Sequence, residues 1–229
     1  MKAIAAANMD REILSELEKL GFEIMPTVPN TAVLPQLAHH PDMQIARFEN
    51  YAVCEPAVFD AYRDFILSAG VSAVCGKTAL KSTYPDDVAY NISEVGDLIF
   101  HRTDCTDGEI VRLANKKFVC VRQGYSGCSV CKTGGGAMIT SDVSVKRAAD
   151  SAGTDCLLIS PGGIHLTGFD CGFIGGASFF YGGTVYFFGD AGTHPDFDKI
   201  KIFCERHETE IRMLKSGILS DYGSLITLD

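Results

Sequence analysis

One cysteine, one histidine and a few aspartates stand inside short phrases that recur along the chain. The phrases are His40-Pro41-Asp42, Tyr84-Pro85-Asp86-Asp87, Tyr125-Ser126-Gly127-Cys128, Phe169-Asp170-Cys171-Gly172 and Tyr222-Gly223-Ser224. A thiol, an imidazole and carboxylates gathered in one cavity are the parts of covalent catalysis. The thiol attacks, the imidazole moves protons, and carboxylates hold a cation or orient the base. On residue type, Cys128 is the candidate nucleophile and His40 the candidate acid/base, with Asp42 beside it. Asp86, Asp87, Asp170, Cys171 and Ser224 are the candidate substrate contacts.

Each residue also has a structural reading. A free cysteine is most often a small buried core residue. Against that, Gly127 and the run Gly134-Gly135-Gly136 point to close backbone approach around Cys128. Cys131 completes Cys128-x-x-Cys131, a spacing used for zinc ligation or thiol redox chemistry. No second C-x-x-C or H-x-x-x-H accompanies it, so no metal is the preferred expectation and a zinc or redox site the alternative. His39 competes with His40 for the inward direction. Asp86 and Asp87 follow Pro85, as in an ordinary turn. Asp170 lies in a stretch poor in charge, where a carboxylate needs a partner or a ligand. His194-Pro195-Asp196 repeats the first phrase at a helix start, where Pro and Asp serve the N-terminus. There is no G-x-x-x-x-G-K-[ST] phosphate loop, and no cofactor is expected.

The phrases are spaced 44, 41, 44 and 53 residues apart, and 47 when the last is joined to the first through the termini. Periods of this length belong to solenoids and rings. Between phrases the same elements return: a hairpin, an amphipathic helix, and a strand leading to the next phrase. The first unit reads as Met43–Phe48, Tyr51–Cys54, a helix over 57–68 and Val71–Cys75. The second reads as Val88–Ile92, Leu98–His101, a helix over 107–115 behind the capping pair Thr106 and Glu109, and Phe118–Val121. The third has Ala137–Thr140, a helix over 142–151 and Cys156–Ile159. The fourth has Gly172–Phe179, Thr184–Phe188, a helix ending near His207 and Glu210–Leu214. The fifth is divided between the termini, with Leu225–Leu228 at one end and a helix over 10–19 and Phe22–Met25 at the other. A unit cut by the termini is what a closed ring produces. One domain over 1–229 is expected.

Of the 229 residues, 46 % are hydrophobic, enough for a substantial core, and the net charge is −9. That balance argues against nucleic acid, which needs a basic patch. It suits a cationic small molecule. Ala3 to Ala7 is too short an apolar run for an export signal, and no stretch approaches the roughly 18 apolar residues of a membrane span. The nine cysteines, an odd number, read as reduced thiols. A cytoplasmic protein with no membrane partner is expected.

Five ββαβ units closed into a ring resemble the pentein fold, the α/β propeller of guanidine-modifying enzymes. The stretches Gln123–Cys131, Phe169–Ala177 and Leu219–Ser224 resemble an uncharacterised bacterial family of that fold. The resemblance implies a pentein-type α/β propeller and a Cys-dependent hydrolase or amidinotransferase acting on a guanidino or amidino compound. It implies Cys128 as the nucleophile, His40 and Asp42 as the H-x-D phrase, and carboxylates clamping the planar N–H fork. In those enzymes the nucleophile lies near the C-terminus, where this chain has Tyr222-Gly223-Ser224. Some members of the fold are catalytically silent, so a ligand- or protein-binding role is the alternative.

Overall fold

The computed structural model describes residues 1–229. In chain order the N-terminus supplies β1 (Lys2–Ala5), α1 (Arg11–Lys19) and β2 (Glu23–Pro26). The first unit follows as α2 (Pro41–Gln44), β3 (Ile45–Phe48), β4 (Tyr51–Cys54), α3 (Phe59–Ser68) and β5 (Ser72–Cys75). The second is β6 (Ser93–Val95), β7 (Leu98–His101), α4 (Gly108–Leu113) and β8 (Lys117–Cys120). The third is α5 (Ser126–Ser129), β9 (Cys131–Lys132), β10 (Met138–Thr140), α6 (Val143–Ala152) and β11 (Cys156–Leu158). The fourth is β12 (Ile164–His165), β13 (Ser178–Tyr181), β14 (Thr184–Phe187), α7 (Phe197–Arg206) and β15 (Glu210–Met213). The chain ends with β16 (Leu219–Ser220) and β17 (Ile226–Thr227).

Five three-stranded sheets share one topology. The first two strands of each pair antiparallel, and the third lies parallel to the middle one. A parallel neighbour needs a crossover, and in each unit the helix is that crossover. In the sheet that joins the two ends of the chain, β17 pairs with β1 and β1 with β2. Local chemistry sets the helix ends. Asp10 accepts the Glu12 N–H at 2.9 Å, Asp107 that of Glu109 at 2.9 Å, and Asp142 those of Ser144 and Val145 at 2.7 and 3.0 Å. Each such cap contributes about 1 kcal/mol.

Five core clusters follow the same cyclic order. Phe48 and Val53 of the first unit meet Ile99 and Ile110 of the second. Val95 and Phe100 meet Met138 and Val145 of the third. Ile139 meets Val185 and Phe187 of the fourth. Phe179 and Phe188 meet Ala3 and Ile13 of the terminal unit. Ile4 and Ile226 then return to Ile45 and Ala52 of the first. No unit closes a core alone; each sheet buries its two faces against two neighbours, and each helix joins one of these clusters.

Four expectations from sequence need correction. The middle strand of the terminal unit is Lys2–Ala5, an alanine-rich stretch whose pattern predicts no strand. Val88–Ile92 is not a strand: Asn91 N–H turns back to Val88 O and Ile92 N–H to Tyr90 O, and the strand begins at Ser93. The strand placed over Gly172–Phe179 begins at Ser178, because Phe173 to Ala177 form a turn, with Ala177 N–H bonded to Phe173 O. Thr106 is also not the cap of its helix; Asp107 is. No helix is long and apolar enough to cross a membrane.

Candidate functional site

The phrases precede the first strand of each unit, so wherever those strands gather the phrases gather too. Cys128 lies in α5 and His40 caps the N-terminal end of α2, which contains Asp42. Asp42 comes to Cys128 across 86 residues of sequence, and the thiol donates to its Oδ2 at 2.8 Å. Ligand atoms of His40, Asp42 and Cys128 all lie within 4.8 Å of one another. Asp221, in the last phrase region, places Oδ1 3.9 Å from His40 Nδ1.

Asn91 locks Cys128 in place. Its Oδ1 accepts the Gly127 and Cys128 N–H groups at 2.7 and 3.2 Å, and its Nδ2 donates to Cys128 Sγ at 3.2 Å and to Asp42 O at 3.2 Å. One amide thereby ties the second unit to the first and the third. Asp221 is held similarly, its two oxygens accepting Phe173 N–H at 2.8 Å and Gly223 N–H at 3.0 Å. The short parallel pair β12–β16 aligns these loops, and Asp221 N–H closes on His165 O at 2.9 Å. Gly223 stands at φ 73°, and a Cβ there would meet His40 Cβ at 2.6 Å.

Behind Cys128 the turn rests on Gly175. A Cβ at that position would lie 2.5 Å from Val130 O and 2.6 Å from both Cys128 O and Gly127 O. These are backbone atoms and cannot swing aside. Gly175→Ala is therefore expected to destabilise the protein by on the order of 3 kcal/mol, read from chemical denaturation. A stability change below about 0.5 kcal/mol would show that the Cys128 turn is free to move.

The reactive groups open on a cavity of about 150 Å³. His40, Cys128, Cys171 and Asp221 share it with Leu37, Tyr125, Leu166, Phe169 and Phe173. Tyr125 is fixed by a 2.6 Å hydrogen bond from its hydroxyl to Asp87 Oδ2, and its ring lies 6.2 Å from that of Phe173 and 5.5 Å from that of Tyr84.

The electrostatics of this cavity favour uncharged acids. Burial, then the nearby Asp42 and Asp221, push the Cys128 thiol well above its ordinary value. Burial raises the Asp42 carboxyl to about 6, with His40 opposing. Burial raises Asp221 as well, opposed by His40 and by the two backbone N–H groups. Asp42 Oδ1 and His40 Nδ1 are buried without a hydrogen-bond partner. A cation entering the cavity would favour the ionised form of all three acids at once.

Of the residues expected from sequence, Cys128, His40 and Asp42 come together, and Cys171 joins them on the cavity wall. His40, not His39, lines the cavity. Asp87 stands one step back, holding Tyr125. Asp86 stands apart as a surface carboxylate paired with Lys81 at 2.8 Å. Asp170 is exposed, so the partner its low-charge surroundings demanded is simply water. Ser224 adopts φ 66° and donates to Ser178 O at 2.7 Å, away from the thiol. Cys131 is packed in the core between the third and fourth units, so Cys128-x-x-Cys131 does not form a chelate. A metal ion would instead find His40, Asp42 and Cys128. In His194-Pro195-Asp196, Asp196 accepts Ser160 N–H at 2.6 Å and pairs with Lys199, a structural role. Asn91 and Asp221 are site residues that none of the recurring phrases contains. The available signals were an amide inside the apolar run Ala89–Ile92, and an acid just before the fifth phrase rather than within it.

No curated protein shows significant sequence similarity to this chain. Among solved structures it resembles the crystal structure of a histidine-to-glycine variant of dimethylarginine dimethylaminohydrolase, an adduct with S-methyl-L-thiocitrulline. The TM-score is 0.53 over 93 % of this chain and 92 % of that one, at 8 % identity. At that identity the likeness is one of fold, and it makes this a mixed α/β protein of pentein-like architecture. The sequence pattern of a family described as a family of unknown function (DUF6873) matches residues 4–226.

Proposed function

The chain belongs to the DUF6873 family, and we propose that it forms one pentein-type α/β propeller whose site works on a guanidino or amidino cation through covalent catalysis by Cys128. The observation that carries this reading is the meeting of a thiol, an imidazole and a reluctant carboxylate, Asp221, on one apolar cavity, with a second reluctant carboxylate, Asp42, bonded to the thiol. Such a cavity is short of one positive charge. A planar cation with N–H groups supplies it, hydrogen-bonds the carboxylate oxygens, and lowers the thiol pKa at the moment substrate is in place.

The chemistry then follows from position. Cys128 gives its proton to His40, and Sγ bonds to the central carbon of the amidinium group. One C–N bond breaks, and the departing amine takes the proton from His40. His40 next deprotonates a water, which adds to the same carbon as the C–S bond breaks, leaving a urea or amide and the restored thiol. If an amine replaces water in that second step, the same site is an amidinotransferase. Asn91 keeps Sγ fixed throughout, and Asp221 holds the cation.

Two reagents that share a leaving group and differ in charge test this. Chloroacetamidine is expected to alkylate Cys128 roughly 10²-fold faster than chloroacetamide does, after correction for their rates with free cysteine. A cation that lowers the thiol pKa by about two units raises the thiolate fraction by that factor. Cys128→Ala removes the adduct, read by intact mass. A corrected ratio near one would sink the enzyme reading and leave a catalytically silent binding protein. The donor set of His40, Asp42 and Cys128 supports a second reading, a zinc site. Stoichiometric zinc in protein prepared without chelator, absent from Cys128→Ala, would decide for it.

A further inference from the structure

Beside the cavity that holds the Cys128 thiol lies a second. It has a volume of about 70 Å³, lies between the inner strands and is lined in part by Asp42 and Gly127. Arg47 of β3, Lys132 of β9, Phe180 of β13 and Thr227 of β17 line this second cavity, with Ser93 of β6. All five units therefore contribute a first-strand residue. The reactive phrases precede these strands and Arg47 and Lys132 come near their ends, so the two cations stand at the end remote from Cys128.

Neither cation is neutralised. Arg47 gives Nη1 hydrogen bonds to the carbonyls of Glu49 and Tyr51, and its Nε is buried without a partner. It forms no ion pair, and Lys132 forms neither an ion pair nor a side-chain hydrogen bond. Glu94, whose field reaches both, is already engaged: it pairs with Lys116 at 2.7 Å and accepts Glu49 N–H at 3.1 and 3.2 Å. Ser93 is 2 % exposed and its hydroxyl has no partner. Surrounding protein lowers the pKa of both Arg47 and Lys132, which also oppose each other. Buried polar groups are nearly always paired, and buried charge is costly unless paired. Two buried donors without a partner, Arg47 Nε and the Ser93 hydroxyl, line one cavity with the exposed, unpaired Lys132 ammonium, and the acid on its lining, Asp42, bonds to none of them. What all three lack is an acceptor with negative charge.

We propose that this cavity is an anion site that takes one small oxyanion, inorganic phosphate or a short dicarboxylate, between Arg47, Lys132 and Ser93. The proposal is independent of the chemistry at Cys128, so each can fail alone. Thermal unfolding of the full chain with millimolar phosphate or malonate, at ionic strength held constant with sodium chloride, tests it. Binding to the folded state raises the midpoint saturably. The anion giving the lower half-saturation identifies the source. Lys132→Gln removes no internal contact and should raise that half-saturation on the order of tenfold, the usual loss with one charged hydrogen bond. Equal responses of wild type and Lys132→Gln, or a rise no different from that in sodium chloride alone, would overturn the proposal. A second measurement needs no variant: the wild-type protein should broaden the phosphorus resonance of phosphate, and malonate should reverse it. Absence of broadening together with absence of a saturable midpoint shift for malonate also overturns it.

Discussion

Asp42→Asn raises the unfolding midpoint at pH 8, and the gain disappears at pH 4. The reason is the cost of ionising a carboxyl that the fold buries. In the folded protein Asp42 holds its proton up to about pH 6, against an ordinary value of 3.8. Its contribution to stability is fully present below the unfolded value, and it is lost as pH rises through the folded one. Above pH 6 the wild type has forfeited up to about 3 kcal/mol, the equivalent of a two-unit shift. Asparagine carries no charge to bury, so it escapes that loss. It also breaks little. Oδ1 has no partner, and the one side-chain bond, from the Cys128 thiol to Oδ2, survives if the amide oxygen occupies that place. A gain of several degrees at pH 8 is expected for a chain of this size. Thermal unfolding of both proteins at pH 4, 6 and 8 measures it. Parallel curves at all three would mean that the carboxyl titrates normally and that the site is not short of a cation.

A residue whose removal stabilises the fold is kept for what it does, and this bears on how the chain can be read. The repeating phrases were visible because chemistry and spacing coincide there: His40, Asp42 and Cys128 are uncommon residue types at regular intervals, and the fold brings them within 4.8 Å. The helices were visible through their periodicity, although the cap expected at Thr106 falls one residue on, at Asp107. The strand Lys2–Ala5 was not. Ala3 and Ala5 face one core cluster and Ile4 the next, so both faces are covered and no alternation of apolar and polar residues marks it. Val88–Ile92 misleads in the opposite way: the apolar run predicts a strand although Asn91 stands inside it. An amide in such a run is tolerated only where its bonds are met, and here Gly127, Cys128 and Asp42 meet them. Nothing local to residue 91 names those partners.

The acids separate along the same line. Asp170 looked as though it needed a partner because its neighbours carry no charge, yet a loop can turn a residue to water whatever flanks it. Asp221 looked incidental beside Tyr222, yet it is the one that two loops enclose. Whether a carboxylate is buried depends on contacts 48 residues away, as Phe173 shows. Those contacts come from the cyclic order of the units, which the period suggested, and from the β12–β16 link, which nothing in the sequence announced.

Asp221→Asn, the same substitution on the other buried acid, destabilises the protein, and most at acid pH. Both Asp221 oxygens accept a backbone N–H, from Phe173 and from Gly223. A protonated carboxyl still accepts at both positions, but an amide accepts at only one. Either orientation of asparagine therefore leaves an NH2 group facing an N–H, in a place 5 % exposed. Gly176 packs so close that a Cβ on it would lie 2.0 Å from Asp221 Oδ1, which leaves no room for the amide to turn away. The cost of the orphaned donor is about 1–3 kcal/mol. Because burial raises Asp221 above the usual carboxylate range, relief of its ionisation offsets part of that cost once the pH exceeds its folded value. Asp42→Asn and Asp221→Asn thus differ in sign at neutral pH, although both remove a buried negative charge from beside Cys128. Function should follow a different pattern from stability. Asp221 lines the cavity proposed to take the cation, so its replacement should slow alkylation of Cys128 by chloroacetamidine roughly tenfold to a hundredfold while leaving chloroacetamide unaffected. Equal slowing of the two reagents would assign Asp221 to holding the loops alone.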